Sequence, residues 1–115
     1  MRVIIAGSRC FADYKLMSEK LIKYFSVNKP ALIVSGGAMG ADRLGEYYAK
    51  RMNIPVRRYL PQWNTFGKSA GMKRNIIMAG NADALVAFWD GSSRGTAQMI
   101  EYANMKGLKV RVVLF

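Results

Sequence analysis

Three turns rich in glycine and hydroxyl side chains hold most of the residues in this chain that could do chemistry. Each turn follows an apolar run typical of a buried strand. The turns are Gly7-Ser8-Arg9, Ser35-Gly36-Gly37-Ala38-Met39-Gly40-Ala41-Asp42 and Asp90-Gly91-Ser92-Ser93-Arg94-Gly95-Thr96. In an open α/β sheet the carboxyl ends of parallel strands share one edge, where backbone N–H groups at helix starts attract phosphate. We therefore expect the three turns to form one composite ligand site.

The first turn offers a sharp bend, a hydroxyl and a cation. Gly7 lets a ligand approach the backbone, Ser8 supplies the hydroxyl, and the guanidinium of Arg9 suits phosphate or carboxylate. An ordinary strand-end turn with a solvent-exposed arginine accounts for the same residues. The turn alone therefore does not decide between these two interpretations.

The middle turn differs from the common phosphate-binding motifs. It lacks the Gly-Lys-[Ser/Thr] of a P-loop, although Gly37 and Gly40 have the spacing of the last two glycines in a dinucleotide fingerprint. Asp42 falls in the first turn of the predicted helix, where a carboxylate repels phosphate but can accept hydrogen bonds from a ribose diol. We assign Asp42 to a sugar hydroxyl; the alternative is that it only satisfies N–H groups of its own helix.

The last turn is the best phosphate cradle in the sequence. Its two glycines, Gly91 and Gly95, allow backbone amides to face inward at the start of a helix. The turn also contains hydroxyl donors and one cation: Ser92, Ser93, Thr96 and Arg94. The alternative interpretation is a flexible surface loop.

A long polar connection, residues 60–69, precedes the next predicted helix and has the length of many binding lids. Four side chains in the stretch 60–75, which includes the start of that helix, could reach an anion: Lys68, Lys73, Arg74 and Asn75. Trp63 and Phe66 could stack on a base, or they could anchor the loop to the core or to a second subunit.

The elements that must position these turns alternate along the chain. Predicted strands cover residues 1–6, 31–34, 55–59, 83–88 and 109–115, and predicted helices cover residues 14–26, 40–52, 70–80 and 96–106. This alternation predicts right-handed βαβ units and a mostly parallel five-stranded sheet. The fold class is α/β, Rossmann-like, with three α/β/α layers. A strand order of 3-2-1-4-5 would put the switch point between the first and fourth strands.

Composition limits the classes of protein. At 115 residues and 51% hydrophobic composition, we expect one domain covering residues 1–115. We also expect a soluble, cytoplasmic protein, because no apolar run approaches the roughly 20 residues of a membrane span and no leader precedes the first strand. One cysteine and no histidine argue against zinc sites and histidine-based triads, and we predict no metal and no cofactor.

The charge favours anionic partners. Eighteen Lys and Arg face seven Asp and Glu, for a net charge of +11. The basic residues are scattered over predicted helices, strands and turns, without the block of like charge that marks a nucleic-acid tail. Nucleic acid is therefore a less favoured partner than a small anionic molecule.

Taken together, the motifs resemble a known family. The three turns, with Gly67-Lys68-Ser69-Ala70-Gly71 and Arg74-Asn75, occur in the order found in the YspA/YpsA-related branch of the SLOG superfamily. That superfamily also includes the DNA-processing protein DprA and the LOG phosphoribohydrolases. The resemblance implies a Rossmann-like fold, a nucleotide or nucleotide-derived ligand, and a bacterial cell or a phage-infected host. It also implies a homodimer or higher homo-oligomer.

The sequence departs from the LOG enzymes at their catalytic glutamate. Their Gly-Gly-x-Gly-Thr-x-x-Glu motif has Met99 at the glutamate position here, and Glu101 lies about 200° further round the helix. Asp42 and Asp90 remain as candidate catalytic acids, but a glycosidase-like reaction usually needs two suitably separated carboxyl groups.

Three functions follow from these patterns. The favoured one is a sensor or sequestering protein for a nucleotide-derived molecule. The second is an enzyme that cleaves an N-glycosidic or phosphoanhydride bond, and the third is a single-stranded nucleic-acid-binding module.

Overall fold

The sheet is parallel throughout, with the order β3-β2-β1-β4-β5. The computed structural model describes residues 1–115. Its strands are β1 (Arg2–Gly7), β2 (Leu32–Ser35), β3 (Val56–Arg58), β4 (Ala84–Trp89) and β5 (Lys109–Leu114). Its helices are α1 (Tyr14–Tyr24), α2 (Ala41–Arg51), α3 (Trp63–Phe66), α4 (Ala70–Ala79) and α5 (Arg94–Met105). The predicted α/β class and strand order are confirmed.

The core lies on both faces of the sheet, because successive side chains of a strand point to opposite sides. In β1, Val3 and Ile5 pack into the cluster that α1 and α2 cover. Ile4 packs into the opposite cluster, with Met78 of α4 and Met99 of α5. The central strands are therefore apolar on both faces, as expected for a sheet with helices above and below.

The connection between β3 and α4 differs from the predicted loop. It contains the four-residue helix α3 followed by a 3-10 turn, Gly67–Ser69. A helix of one turn is too short to show the apolar periodicity by which helices are predicted. Gly67 ends α3 with a φ of 54°. No helix in the structure is both long enough and apolar enough to cross a membrane.

Helix α5 begins two residues earlier than predicted. Ser93 is its N-cap, and the N–H of Ala97 donates to the Ser93 carbonyl at 3.1 Å. Gly95 and Thr96 therefore belong to the first helical turn, whose N–H groups have no partner within the helix. The early start places free amides at the edge of the sheet where the glycine-rich turns meet.

Candidate ligand site at the carboxyl edge of the sheet

A cleft lies at the switch point between β1 and β4. Its inner part is about 80 Å³ and is lined by Ala6, Gly7, Arg9, Ala38, Asp42, Arg74, Asn75, Met78, Gly95, Thr96 and Met99. Its wider part is about 400 Å³ and is lined by Arg9, Gly36, Gly37, Ala38, Met39, Arg43, Leu60, Pro61, Trp63, Gly71 and Arg74. Three residues, Arg9, Ala38 and Arg74, line both parts. The two parts therefore form one cleft, which we name the edge cleft. Parts of all three predicted turns meet there.

Two glycines allow the turns to approach so closely. A Cβ at Gly7 would overlap the carbonyl of Phe88 in β4. Gly40, with a φ of 80°, would place a Cβ 2.5 Å from the carbonyl oxygens of Ser8 and Arg9. The start of α2 therefore rests directly on the turn after β1, which brings Asp42 to the centre of the cleft.

Asp42 is a buried carboxyl group with access to the inner part of the cleft. Its side chain is 5% exposed, and its Oδ2 accepts a hydrogen bond from the N–H of Ala38 at 3.2 Å. Burial raises the pKa of Asp42 to about 6, although the Ala38 N–H and the charge of Arg74 act in the opposite direction. Near neutral pH this group can accept a hydrogen bond or exchange a proton with a ligand.

Arg74 braces the cleft from the side of α4. Its Nη1 donates to the Gly36 carbonyl at 2.7 Å and to the Tyr59 carbonyl at 3.3 Å, while its Nε donates to Asn75 Oδ1 at 2.9 Å. Asn75 Nδ2 donates in turn to the Gly95 carbonyl at 3.4 Å. Burial lowers the pKa of Arg74, and the charge of Asp42 opposes that shift. These bonds connect the ends of β2 and β3 to the start of α5.

Asp90 is engaged within its own turn. Its Oδ1 accepts hydrogen bonds from the N–H of Ser92 at 2.9 Å and from the N–H of Ser93 at 2.8 Å. These bonds hold the pKa of Asp90 well below its usual range. Ser8 joins the network, because its Oγ accepts from the N–H of Asp90 at 3.1 Å and lies 3.0 Å from Ser93 Oγ. The amides expected to face a phosphate are thus partly used by Asp90, and the free donors are those at the first turn of α5.

The predicted site residues fall into three groups. Those that line the edge cleft are Gly7, Arg9, Gly36, Gly37, Asp42, Arg74, Asn75, Gly95 and Thr96. Those that shape it through turn contacts without lining it are Ser8, Ser35, Gly40, Asp90 and Ser93. Four others are exposed and line no part of the cleft: Lys68, Gly91, Ser92 and Arg94.

One supporting network was missed by sequence reasoning. Glu46 accepts hydrogen bonds from Ser35 Oγ at 2.6 Å and from Arg58 Nε at 2.8 Å. Ser35 Oγ also accepts from the N–H of Gly37 at 3.1 Å, which fixes the turn after β2. Burial alone would raise the pKa of Glu46, but the hydrogen bonds from Arg58 and Ser35 lower it. Helical spacing could have identified Glu46 from the sequence, since Glu46 follows Asp42 by four residues and lies on the same face of α2.

The cleft therefore combines one buried carboxyl group, cations and free helix amides. Arg9 and Arg43 have no carboxylate within ion-pair distance, whereas Asp42 is the single carboxyl group that lines the cleft. Trp63 lines the wider part of the cleft, with 53% of its surface exposed. Met99 lines the inner part. The arrangement suits a ligand with an anionic group, hydroxyls and a planar ring.

A parallel sheet ordered 3-2-1-4-5, with a cleft at its switch point, defines a Rossmann-type α/β domain. The chain belongs to the YspA, cpYpsA-related SLOG family, YAcAr, whose family model matches residues 1–66. The matched segment contains the turns after β1 and β2, while Arg74 and the turn at residues 90–96 lie beyond it.

A solved structure shares the whole fold. The chain is similar to the X-ray structure of DNA processing protein A (DprA) from Streptococcus pneumoniae, with a TM-score of 0.75 and 21% identity. The similarity covers 97% of this chain and 49% of that one, so the chain spans about half the length of DprA. No curated protein sequence matches the chain.

Proposed function

We propose that this protein binds a nucleotide or nucleotide-derived small molecule in the edge cleft, as a sensor or sequestering protein. The observation that carries the proposal is the burial of the Asp42 carboxyl group in the same cleft as Arg9 and the first turn of α5. A buried carboxyl group with a raised pKa reduces stability, and such groups concentrate at functional sites.

Each part of a nucleotide has a suitable partner. A phosphate fits beside Gly95 and Thr96, where free N–H groups and the positive end of the α5 dipole favour negative charge, with Arg9 as a counter-ion. Ribose hydroxyls fit Asp42, which accepts hydrogen bonds. The base fits the wider part of the edge cleft against Trp63, whose ring offers a stacking surface.

Binding is favoured over catalysis by the state of the two candidate acids. Asp42 lines the cleft and can be protonated near neutral pH, whereas Asp90 lines no part of the cleft and its Oδ1 accepts three hydrogen bonds from its own turn. A glycosidase-like reaction uses two carboxyl groups, and the cleft provides one. The enzyme alternative would therefore have to proceed with Asp42 alone.

Isothermal titration calorimetry tests the proposal with AMP, ADP-ribose and cyclic dinucleotides. At least one should bind, and Arg9→Ala and Asp42→Asn should each weaken that binding by about ten-fold or more, the loss expected for a hydrogen bond to a charged group. Arg94→Ala is the matched control, since it removes the same charge from the cleft's surroundings and should change affinity by less than about two-fold. Absence of binding across the panel would contradict the proposal, and product release abolished by Asp42→Asn would favour the enzyme.

Single-stranded nucleic acid is the second candidate ligand, and charge is the observation that favours it. Of the 18 Lys and Arg residues, only Arg2 and Arg58 form ion pairs with carboxylates. The structurally similar DprA is named as a DNA processing protein. If DNA is the ligand, oligo(dT) affinity should fall steeply with salt, because each phosphate contact releases counterions. Weak or salt-insensitive binding would remove this candidate.

A further inference from the structure

A second cleft lies between the end of β3 and helix α4. It has a volume of about 400 Å³, within the range of small-molecule sites, and its walls include Arg58, Leu60, Phe66, Lys73, Arg74 and Ile77. We name it the outer cleft. Nothing in the proposed nucleotide site requires it, so its function is a separate question.

The connection after β3 separates the outer cleft from the edge cleft. Pro61 and Trp63 line the edge cleft, whereas Gln62 and Phe66 line the outer cleft. The two clefts share only Leu60 and Arg74. A ligand in one cleft therefore meets a different set of side chains from a ligand in the other.

The outer cleft places a free cation beside an aromatic ring. Lys73 Nζ lies 5.0 Å from the centroid of the Phe66 ring and has no carboxylate within ion-pair distance. Phe66, Leu60 and Ile77 are all more than one-third exposed, so the cleft offers apolar surface to solvent. An exposed aromatic ring next to a cation is a general recognition surface for planar anions.

No carboxylate lines this cleft to oppose an anion. The nearest acidic partner of a lining residue is Glu46, which is paired with Arg58. Arg74 donates hydrogen bonds from Nη1 and Nε to backbone and Asn75 oxygens, and Arg58 is paired with Glu46. Lys73 is therefore the lining cation without an ion-pair or hydrogen-bond partner. The unopposed charge of the outer cleft is therefore concentrated at one side chain.

We propose that the outer cleft is a second binding site, selective for a small aromatic anion. A planar ring lies against Phe66 and Ile77, and its phosphate, sulfonate or carboxylate group pairs with Lys73. The site is independent of Arg9 and Asp42, so it stands or falls separately from the nucleotide site.

The test is a titration of the ¹⁵N-labelled full chain with 1-naphthyl phosphate, followed by amide chemical shifts. The largest shifts should centre on Phe66, Lys73 and Ile77. Lys73→Ala should weaken binding about five-fold, the loss expected for one cation beside an aromatic anion. Lys68→Ala is the matched control: it removes the same charge from the 3-10 turn just before α4, but Lys68 is exposed and lines neither cleft.

Three outcomes overturn the proposal. Equal weakening by Lys68→Ala and Lys73→Ala means that the probe senses only net charge. Shifts centred on Arg9 and Thr96, abolished by Arg9→Ala, mean that the probe occupies the edge cleft. A dimer in analytical ultracentrifugation that Phe66→Ala dissociates, together with an absence of shifts at Phe66, means that a second copy covers this surface.

Discussion

At the scale of single residues, Asp42 is a buried carboxyl group that lowers stability at the site of the proposed nucleotide binding. Its carboxyl group is buried at the end of a cleft instead of being solvated, and burial raises its pKa to about 6 from an ordinary value of 3.8. A shift of that size corresponds to a cost on the order of 3 kcal/mol when the group is ionised. A purely structural helix cap at this position would carry a lowered pKa instead.

Asp42→Asn should therefore raise the free energy of unfolding above pH 6. Between about pH 4 and pH 6 the unfolded chain loses the Asp42 proton before the folded chain does, so wild-type stability falls as pH rises through this window. The variant keeps an oxygen for the Ala38 N–H and lacks this decline; we expect a gain of about 1–3 kcal/mol at pH 7.5. Urea denaturation from pH 4 to pH 8 measures this gain, and parallel pH profiles for the two proteins would contradict a raised pKa at Asp42.

The position of Asp42 could be predicted from sequence, but its environment could not. A carboxylate just after Gly40, at a strand–turn–helix junction, indicates a place at the carboxyl edge of the sheet, where Asp42 lies. Its raised pKa depends on burial, and the residues that partly offset it are Ala38 and Arg74, the second of which lies 32 positions away. Such non-local contacts leave no periodic pattern in a single sequence.

At the scale of elements, the junction of β1, β4 and α2 holds the cleft in shape. Gly7→Ala should be destabilising by about 1–3 kcal/mol, because its Cβ would overlap backbone of β4 and overpacking against backbone cannot relax. Gly95→Ala should be neutral or stabilising by about 0.5 kcal/mol, since it lies in a helix and its Cβ would have no neighbour within 4 Å. Thermal unfolding of both variants checks this contrast; equal melting temperatures would mean that the junction tolerates a wider approach.

Helix α3 places Trp63 in the edge cleft and Phe66 in the outer cleft, so variants of these two residues form a matched pair. Trp63→Ala should weaken nucleotide binding by about five-fold or more, because base stacking on one aromatic ring is worth at least about 1 kcal/mol. Phe66→Ala should leave nucleotide affinity unchanged, since Phe66 lines the outer cleft. Calorimetric titration of both variants with the same nucleotide makes the comparison, and equal losses would show that α3 acts only as a whole.

All five strands, including the three-residue β3, were predictable, whereas the one-turn helix α3 was not. Apolar runs of four to six residues alternating with amphipathic stretches led to the parallel sheet, and its order was confirmed. Helix α3 was missed because one turn carries no periodicity. The Ser35–Glu46–Arg58 network was missed because its members lie on three elements that only the fold brings together.

At the scale of the whole molecule, excess positive charge is the dominant property. With +11 and ion pairs at only Arg2 and Arg58, the folded chain repels itself, and salt screens that repulsion. The melting temperature should therefore rise by a few degrees between about 20 mM and about 300 mM sodium chloride. Calorimetric scans across this range measure the effect. A melting temperature that falls with salt would show that attractive charge pairs, and not repulsion, govern stability.

The proposed nucleotide site uses Arg9, Asp42 and the start of α5 at the carboxyl edge of the sheet. The most direct measurement is amide chemical-shift mapping of the ¹⁵N-labelled chain with the tightest-binding nucleotide of the calorimetric panel. The largest shifts should occur at Gly7, Arg9, Ala38, Gly95 and Thr96, and they should be lost in Arg9→Ala. Shifts spread over the basic surface, or confined to residues outside the edge cleft, would contradict it.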